Sequence, residues 1–146
     1  IVRRRLMSNS TSCFSLIELM VVVTSIAILA VVVVSQIGPY ADRAKVAKAK
    51  SQIGEFASNV EMFKLDTGRY PSSSEGLKAL EEKPGGAERW RGPYAVVMDD
   101  PWDNAYEYSY DPSSRTFDII SYGADGTPGG QEFDADIKYS ERKEWK

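Results

Sequence analysis

The sequence predicts an α+β fold in which one long N-terminal helix packs on a small antiparallel β-sheet. Three observations predict it: an apolar run near the N-terminus, a helical stripe of apolar residues directly after it, and two later β-prone stretches joined by a turn. The chain has 146 residues, which is room for one modest domain plus an anchoring segment.

The composition excludes several classes of function. Lys and Arg total 18 against 21 Asp and Glu, for a net charge of −3, whereas nucleic-acid-binding domains are strongly basic. There is no His in the chain, which removes Ser-His-Asp and Cys-His catalysis and the commonest zinc ligand. The one cysteine, Cys13, cannot form an internal disulfide.

The first element is the apolar run over residues 19–37, which consists almost entirely of Val, Ile, Leu, Ala and Met. About 20 such residues are needed to span the hydrocarbon core of a bilayer as a helix. Arg3, Arg4 and Arg5 precede the run and no acidic residue occurs before Glu18, so the positive-inside rule places the N-terminus in the cytoplasm. An ordinary cleaved signal peptide would have a shorter apolar core. Because a carboxylate in a membrane segment is costly, Glu18 is a candidate functional residue.

The second half of the helix is amphipathic. Its apolar residues alternate spacings of three and four, which places them on one helical face: Val46, Ala49, Ile53, Phe56, Val60 and Phe63. Gly38-Pro39 is expected to kink or locally open the helix. Gly68 suits a left-handed cap and Pro71 blocks continuation, so we expect a nearly continuous helix from Phe14 to Asp66.

Ser74 is expected to cap a short second helix that runs through Glu75 to Glu82. Residues 84–104 are rich in Gly, Pro and Asp and are expected to form an irregular loop.

A β-hairpin is expected next. A period-two pattern of tyrosines is followed by turn residues and then by a second β-prone run: Tyr106, Tyr108, Tyr110, then 111–114, then Phe117, Ile119 and Ile120. The tail from Gly123 to Asp136 is rich in Gly and Asp and shows no regular pattern.

Five motifs carry a resemblance to a known family. FSLIELM at residues 14–20, followed by the apolar run, resembles the class III signal of type IV pilins and pseudopilins. Four more motifs follow in order: KLDTGRYP at 64–71, EGLKAL at 75–80, DPWDNAY at 100–106, and YGADG at 122–126 with ADI at 135–137. Together they resemble the major pseudopilins of type II secretion systems, the general secretion pathway protein G family of the type IV pilin-like superfamily. The resemblance implies the type IV pilin-like fold.

The resemblance implies a processing site and three segments. In the family, a prepilin peptidase cuts just before the Phe and methylates the new terminus, which carries over to cleavage between Cys13 and Phe14. Residues 1–13 would then be the leader, 14–37 the transmembrane and polymerisation half of the helix, and 38–146 the periplasmic globular domain with the second half of the helix. Cleavage would move the side-chain net charge from −3 to −6, because Arg3, Arg4 and Arg5 are lost.

The resemblance also implies a role for Glu18. The family pairs this acid with the terminal amine of a neighbouring subunit, so that both charges are desolvated together in the filament core. The alternative is that Glu18 lies in the headgroup region, close enough to water to stay solvated.

The sequence departs from the family in its processing signal and in one loop. Cys13 stands where the family has Gly just before the cut. Asp103 and Ala105 stand where Gly and Pro are common after the Asp-Pro-Trp motif, which alters the stiffness of the loop rather than its chemistry.

As implied by the resemblance, the protein is a structural subunit and not an enzyme. It would polymerise with itself through its N-terminal helix into a periplasmic pseudopilus that helps to export folded proteins across the outer membrane. Its protein partners would be minor pseudopilins, inner-membrane type II secretion components and the prepilin peptidase. It would cross the bacterial inner membrane once, and it would not bind nucleic acid. The alternative within the superfamily is a type IV pilin, although these often carry a C-terminal disulfide loop, or a minor pseudopilin.

A second alternative is a membrane-tethered periplasmic hydrolase. Its candidate residues are clustered carboxylates, either Asp99, Asp100 and Asp103 or Asp134 and Asp136, since paired carboxylates can do acid–base work in a cleft. They lie in surface-like loops without a nucleophile partner, and a run of charges is usually a solvated face.

The tail is a candidate calcium site. It combines glycines with four acids, Asp125, Glu132, Asp134 and Asp136, and calcium accepts carboxylates together with backbone carbonyls. The spacing is not that of an EF-hand, so the pattern alone leaves an ordinary acidic loop equally open. The resemblance implies calcium ligation by Asp125 and Asp136, with Asp134 and the backbone carbonyls of Tyr122 and Thr127 as further ligands.

Overall fold

The structure, a computed structural model, describes the backbone of residues 15–145 and the side chains of residues 15–31 and 40–145. Its elements are helix α1 (Leu16–Thr67), strands β1 (Glu107–Asp111), β2 (Thr116–Ser121) and β3 (Ile137–Lys138), and two 3₁₀ helices at Leu77–Leu80 and Tyr139–Glu144. The strands form one antiparallel sheet in the order β1-β2-β3. The predicted α+β architecture is confirmed.

Helix α1 ends as predicted. Gly68 has a φ of +82°, and its N–H donates to the Lys64 carbonyl at 2.8 Å, which closes the last turn. The helical backbone continues through Gly38 and Pro39, and the chain divides into two units between these residues.

The second half of α1 supplies one side of the hydrophobic core. Five residues of the predicted stripe are at most 3% exposed, namely Ala49, Ile53, Phe56, Val60 and Phe63, and Val46 packs against them. Across from the helix, Tyr108 and Ile119 are opposite each other in the β1–β2 register and are both buried. Because side chains alternate along a strand, this register turns the odd residues of β2 towards the helix.

Aromatic side chains extend the core between the helix and the sheet. The Phe56 and Tyr106 rings meet edge to face with their centroids 5.4 Å apart, and the Tyr106 hydroxyl donates to the Gln52 side chain at 2.9 Å. The Tyr108 hydroxyl donates to the Pro71 carbonyl at 3.0 Å. The rings of Tyr106 and Tyr108 therefore pack on the core, and each hydroxyl has a hydrogen-bond partner.

The predicted short second helix is present but shorter than expected, and the prediction that Ser74 caps it is wrong. The chain forms only the 3₁₀ helix Leu77–Leu80, preceded by Gly76 at a φ of 60°, and no side chain caps it. The Glu75 carboxylate is committed elsewhere, because it accepts two hydrogen bonds from Arg69 at 2.7 Å and one from the Ser72 N–H at 2.7 Å. These bonds hold residues 69–75 in a turn that precedes the 3₁₀ helix.

The irregular loop predicted for residues 84–104 is confirmed, and so is the hairpin that follows it. In the hairpin turn, the Asp111 carboxylate accepts hydrogen bonds from the Ser113 N–H and the Ser114 hydroxyl. The sequence did not indicate β3 or the 3₁₀ helix at Tyr139–Glu144, which are too short to carry a periodic pattern.

Candidate functional site

The first half of α1 is apolar on all sides. Its eleven large apolar side chains between Leu16 and Val31 are each 47–77% exposed. An ordinary surface helix shows one apolar stripe, whereas a helix that is hydrophobic all round needs to be buried in protein or lipid. This surface is therefore a candidate interaction site.

Polar groups in this segment are almost all satisfied within the helix. The Thr24 hydroxyl donates to the Met20 carbonyl at 2.6 Å, and the Ser25 hydroxyl donates to the Val21 carbonyl at 2.7 Å. Glu18 lies in the first turn of α1 and is exposed. Its carboxylate makes no hydrogen bond or ion pair with any residue that the structure describes.

The predicted processing site, Cys13 and Phe14, lies outside the described residues, as does the leader. The predicted transmembrane segment 14–37 is also described only in part, because the side chains of 32–37 are outside the description. Over the described portion of the chain, no helix meets the length and hydropathy of a membrane span.

The tail is anchored to the loop that contains Asp100. This carboxylate is 3% exposed and accepts hydrogen bonds from the N–H groups of Trp102 at 3.0 Å and Asn104 at 2.9 Å, and from the Ser121 hydroxyl at 2.5 Å. The Asn104 side chain then donates to the Gly123 carbonyl at 3.0 Å. Asp100 thus joins its own loop to the end of β2 and positions the start of the tail.

Close backbone approaches fold the tail back on itself. The Ala124 N–H donates to the Phe133 carbonyl at 2.9 Å. A Cβ at Gly130 would lie 2.3 Å from the Asp134 carbonyl oxygen, and one at Gly126 would lie 2.7 Å from the Asn104 side chain. Gly126 and Gly130 are therefore required by packing as well as by their positive φ, whereas Gly129 has open space around it and only its φ favours glycine.

The carboxylates predicted to bind calcium have hydrogen-bond partners of their own. Asp125 accepts from the Thr127 N–H at 3.1 Å and from its hydroxyl at 3.0 Å, which brings these two predicted residues together. Asp136 accepts from the Gly129 N–H at 2.9 Å and lies 3.5 Å from the Lys138 ammonium. The Tyr122 hydroxyl donates to Glu107, and this bond raises the pKa of Tyr122 to about 12.

The atoms of the tail that could bind a metal ion are oxygen atoms. No described residue donates a hydrogen bond to the carbonyls of Tyr122 or Thr127, so both carbonyl oxygens are available as ligands. Within the described ranges, no three or more Asp, Glu, Cys or His side chains form a group that could hold a metal. Any calcium site here would consequently depend on carbonyl oxygens as much as on carboxylates, which suits this ion.

The carboxylates considered for a hydrolase have structural or exposed positions. The Asp100 carboxylate is buried and accepts three hydrogen bonds. Asp99 and Asp103 are exposed, and Asp103 has a φ of +66°. The Asp100 network, with Asn104 and Ser121, was missed as a positioning site because its members are 21 residues apart in the sequence and show no periodic signal.

Comparison with known proteins gives a consistent result. Residues 36–140 match the family model of the type II secretion system (T2SS) protein G. The type II secretion system core protein G of Xanthomonas campestris is 44% identical over 127 residues, which is 86% of this chain and 87% of that protein. The protein of the same name from Pseudomonas aeruginosa is 44% identical over 131 residues, 86% of this chain and 92% of that protein.

Among solved structures, the chain is similar to the crystal structure of the major pseudopilin from the type 2 secretion system of enterohaemorrhagic Escherichia coli. The TM-score is 0.59 at 31% identity, over 68% of this chain and 90% of that chain.

Proposed function

Because the chain belongs to the type II secretion system protein G family, we propose that its all-round apolar helix is the surface through which it polymerises. The protein is a structural subunit of the pseudopilus of a type II secretion system. The observation that supports this use of the helix is the exposure of its eleven large apolar side chains between Leu16 and Val31. Such side chains are removed from water when helices pack side by side in a bundle or lie in lipid, and this burial is favourable.

The proposal includes membrane insertion before assembly. Residues 14–37 would cross the bacterial inner membrane once, with Arg3, Arg4 and Arg5 in the cytoplasm and residues 38–146 in the periplasm. The Thr24 and Ser25 hydroxyls support it, because they bond to carbonyls of their own helix and expose no unpaired donor to an apolar environment.

A prepilin peptidase would remove residues 1–13 and leave Phe14 as the methylated N-terminus. Co-expression with such a peptidase should produce a mass loss equal to these residues, and mass spectrometry of the new terminus should find methylated Phe14. An uncut chain would contradict the proposal unless Cys13→Gly restores cleavage, since Gly is the family residue at that position.

Glu18 would pair with the terminal amine of a neighbouring subunit. A carboxylate buried in an apolar filament core requires a cation, and Glu18 has no partner among the described residues of its own chain. Glu18→Ala should leave membrane insertion intact and reduce cross-linked multimers strongly. Thr24→Ala is the matched control, because that hydroxyl bonds only to its own helix. Multimers of Glu18→Ala equal to those of the unchanged chain would refute the pairing.

We also propose that calcium binds the tail through Asp125, Asp136 and the carbonyls of Tyr122 and Thr127, with Asp134 as a further ligand. A bound ion would tie the tail to the end of β2 and add its binding free energy to the stability of the domain. Thermal unfolding of residues 40–146 should therefore occur at a lower temperature with chelator than with millimolar calcium. Asp125→Ala should abolish this difference and Asp99→Ala should preserve it; identical curves for the unchanged domain in both buffers would exclude the site.

We propose no catalytic role. Minor pseudopilins and inner-membrane components of the secretion system would be the other protein partners. A hydrolase would require a free carboxylate pair in a cleft, whereas the most buried candidate, Asp100, is held by three hydrogen bonds.

A further inference from the structure

An open cavity lies between helix α1 and the tail. It has a volume of about 560 Å³ and is lined by Arg43 and Val46 of the helix and by Glu132 and Phe133 of the tail. Val46 and Phe133 are partly buried and give the cavity an apolar wall, whereas Arg43 and Glu132 are exposed. Ligand pockets in proteins typically have volumes of about 300–1,000 Å³, an apolar lining and a few polar groups. The Arg43 cavity, as we call it, has these properties.

The two charges of the Arg43 cavity do not neutralise each other. Neither Arg43 nor Glu132 forms an ion pair with any described residue, so the guanidinium nitrogens and the carboxylate oxygens are more than 4.0 Å apart. The neighbouring acid Asp42 does not line the cavity. Opposite charges that line one cavity without pairing complement a ligand that carries both an anionic and a cationic group.

Arg43 is positioned by a neighbour on the same helix. Its guanidinium carbon lies 6.0 Å from the centroid of the Tyr40 ring, a distance at which the ring attracts a cation. The Tyr40 side chain is itself 68% exposed. Exposed tyrosines next to an apolar span are typical of the interface between a membrane and water.

Glu132 is held at the tip of a turn in the tail. The Asp134 N–H donates to the Gln131 carbonyl at 3.1 Å, and Glu132, inside this turn, has a φ of 55°. A side chain is unfavourable in this left-handed region, where glycine has no such cost. The turn therefore carries a carboxylate at a position where the backbone alone would favour glycine.

The position of the Arg43 cavity in the chain indicates a lipid as the ligand. In the proposed function the membrane segment ends at residue 37, and Arg43 follows six residues later. Helical side chains lean towards the N-terminal end of their helix, which here is the end that enters the membrane. Because the headgroup layer on each side of a bilayer is about 5–8 Å deep, the long Arg43 side chain is within reach of lipid phosphates.

We propose that the Arg43 cavity binds the headgroup of a phospholipid that carries a primary ammonium group, such as phosphatidylethanolamine. This proposal rests on the proposed function, in which residues 14–37 cross the membrane. Arg43 would donate to the lipid phosphate, because a guanidinium matches phosphate oxygens in a bidentate manner. Glu132 would accept hydrogen bonds from the ammonium group, and Val46 and Phe133 would cover the apolar part of the lipid below its headgroup.

The two polar contacts predict a specific order of lipids. Phosphatidylcholine has a phosphate, but its trimethylated ammonium cannot donate a hydrogen bond to Glu132. Phosphatidylglycerol has a phosphate and no cation. Both should therefore bind more weakly than phosphatidylethanolamine, by about tenfold, which is the effect of losing a hydrogen bond to a charged group.

Fluorescence quenching in vesicles tests this order. The full chain with Cys13→Ser and Ala47→Cys would carry a fluorophore at the exposed position 47, one helical turn after Arg43. Vesicles of phosphatidylcholine would contain a trace of one of the three lipids, each with the same nitroxide quencher near the top of one acyl chain. Quenching by the phosphatidylethanolamine probe should exceed quenching by the other two by about tenfold at equal concentration.

Substitutions assign the contacts to the two charges. Glu132→Gln should bring quenching by the three probes to one level, and Arg43→Gln should lower quenching by all of them. Glu141→Gln and Lys48→Gln are matched controls, because they remove exposed charges outside the cavity, and both should preserve the preference. Glu132→Gly should lose the preference and raise the unfolding temperature, since it relieves the backbone at position 132. If Glu132→Gln and Glu132→Gly both lower the unfolding temperature, Glu132 has a structural role and the lipid contact is refuted.

The remaining outcomes separate this site from the proposed function. If the chain stays in the vesicles and the three probes quench equally, the Arg43 cavity is not a lipid site while membrane insertion stands. Stronger quenching by phosphatidylglycerol than by phosphatidylethanolamine would also refute the proposal, because it would indicate an anionic lipid held by positive charge alone. If the chain is not retained by the vesicles, membrane insertion and the lipid site are both refuted.

Discussion

The two halves of helix α1 have opposite relations to their surroundings. Between Val46 and Phe63 the apolar residues fall on one stripe and are covered by the sheet and loops of the same chain. Between Leu16 and Val31 they occur on every face and stay exposed. The fold covers one half, whereas no described residue of the chain covers the apolar side chains of the other, which we propose pack against neighbouring subunits. Substitutions in the two halves should accordingly affect different measurements, namely unfolding and assembly.

The largest expected effect on unfolding is in the covered stripe. Phe56 is 3% exposed and packs edge to face on Tyr106, so Phe56→Ala should lower the free energy of unfolding by about 3–5 kcal/mol. Ile26→Ala removes a side chain that is 60% exposed and should leave unfolding of the globular domain unchanged while weakening assembly. Chemical denaturation of the full chain in detergent measures the free energy of unfolding of both variants. Equal losses of unfolding free energy would contradict the proposed division of the helix.

The next substitution tests how much a buried hydrogen-bond network contributes to the free energy of unfolding, compared with apolar burial. Asp100→Ala would leave the Trp102 N–H, the Asn104 N–H and the Ser121 hydroxyl without their acceptor. We expect a loss of about 1–3 kcal/mol in the free energy of unfolding. Asp99→Ala, at the exposed neighbouring position, should have little effect on unfolding. A negligible effect of Asp100→Ala would show that water replaces the carboxylate in the loop.

A smaller effect depends on pH and belongs to the turn that follows α1. The Arg69 guanidinium and the Ser72 hydrogen bonds lower the pKa of Glu75 to about 2. Since this pKa is about 4.5 in the unfolded chain, the stabilisation is complete above pH 4.5 and is lost as the pH falls through 2. We expect about 1–2 kcal/mol, because Arg69 is partly exposed and solvent screens the pair.

Glu75→Gln should therefore flatten the pH dependence of the unfolding free energy in the acid range. Glu82→Gln is the control, since its ion pair with Lys78 is highly exposed and should not change the slope. If the unfolding free energy of Glu75→Gln depends on pH as steeply as that of the unchanged chain, Glu75 is not the source of this pH dependence.

The smallest effect concerns backbone strain in the loop that contains Asp100. Asp103 has a φ of +66°, where a side chain is unfavourable, so Asp103→Gly should raise the free energy of unfolding by about 0.5–1 kcal/mol. Ala105 does not have a positive φ, and Ala105→Gly should lower it by a similar amount, about 0.5–1 kcal/mol. Opposite signs for two neighbouring substitutions would locate the strain at Asp103, whereas equal signs would contradict it.

The parts of the fold that the sequence predicted are those with a repeating pattern. The stripe from Val46 to Phe63 and the tyrosines of β1 both reach the core because helical and strand periodicities follow from backbone geometry alone. Strand β3 has only two residues and forms because the tail returns to β2, which is a tertiary effect. Ser74 failed as a helix cap for a related reason, since Arg69 and Ser72 both bond to the Glu75 carboxylate and hold a turn there.

The candidate sites were predictable to different degrees. Glu18 could be singled out from one sequence, because an acid next to an apolar run is conspicuous. The role of Asn104 could not, because its bond to the Gly123 carbonyl joins residues 19 positions apart.

The self-satisfied hydroxyls of Thr24 and Ser25 have a consequence for how subunits orient about the helix axis. With these groups bonded to the Met20 and Val21 carbonyls, the surface from Leu16 to Val31 consists of hydrocarbon in every direction, and packing distinguishes only weakly between one rotation and another. Glu18 is the single charged group on this cylinder. The Glu18 carboxylate alone would then fix the rotation of each helix about its axis relative to its neighbours.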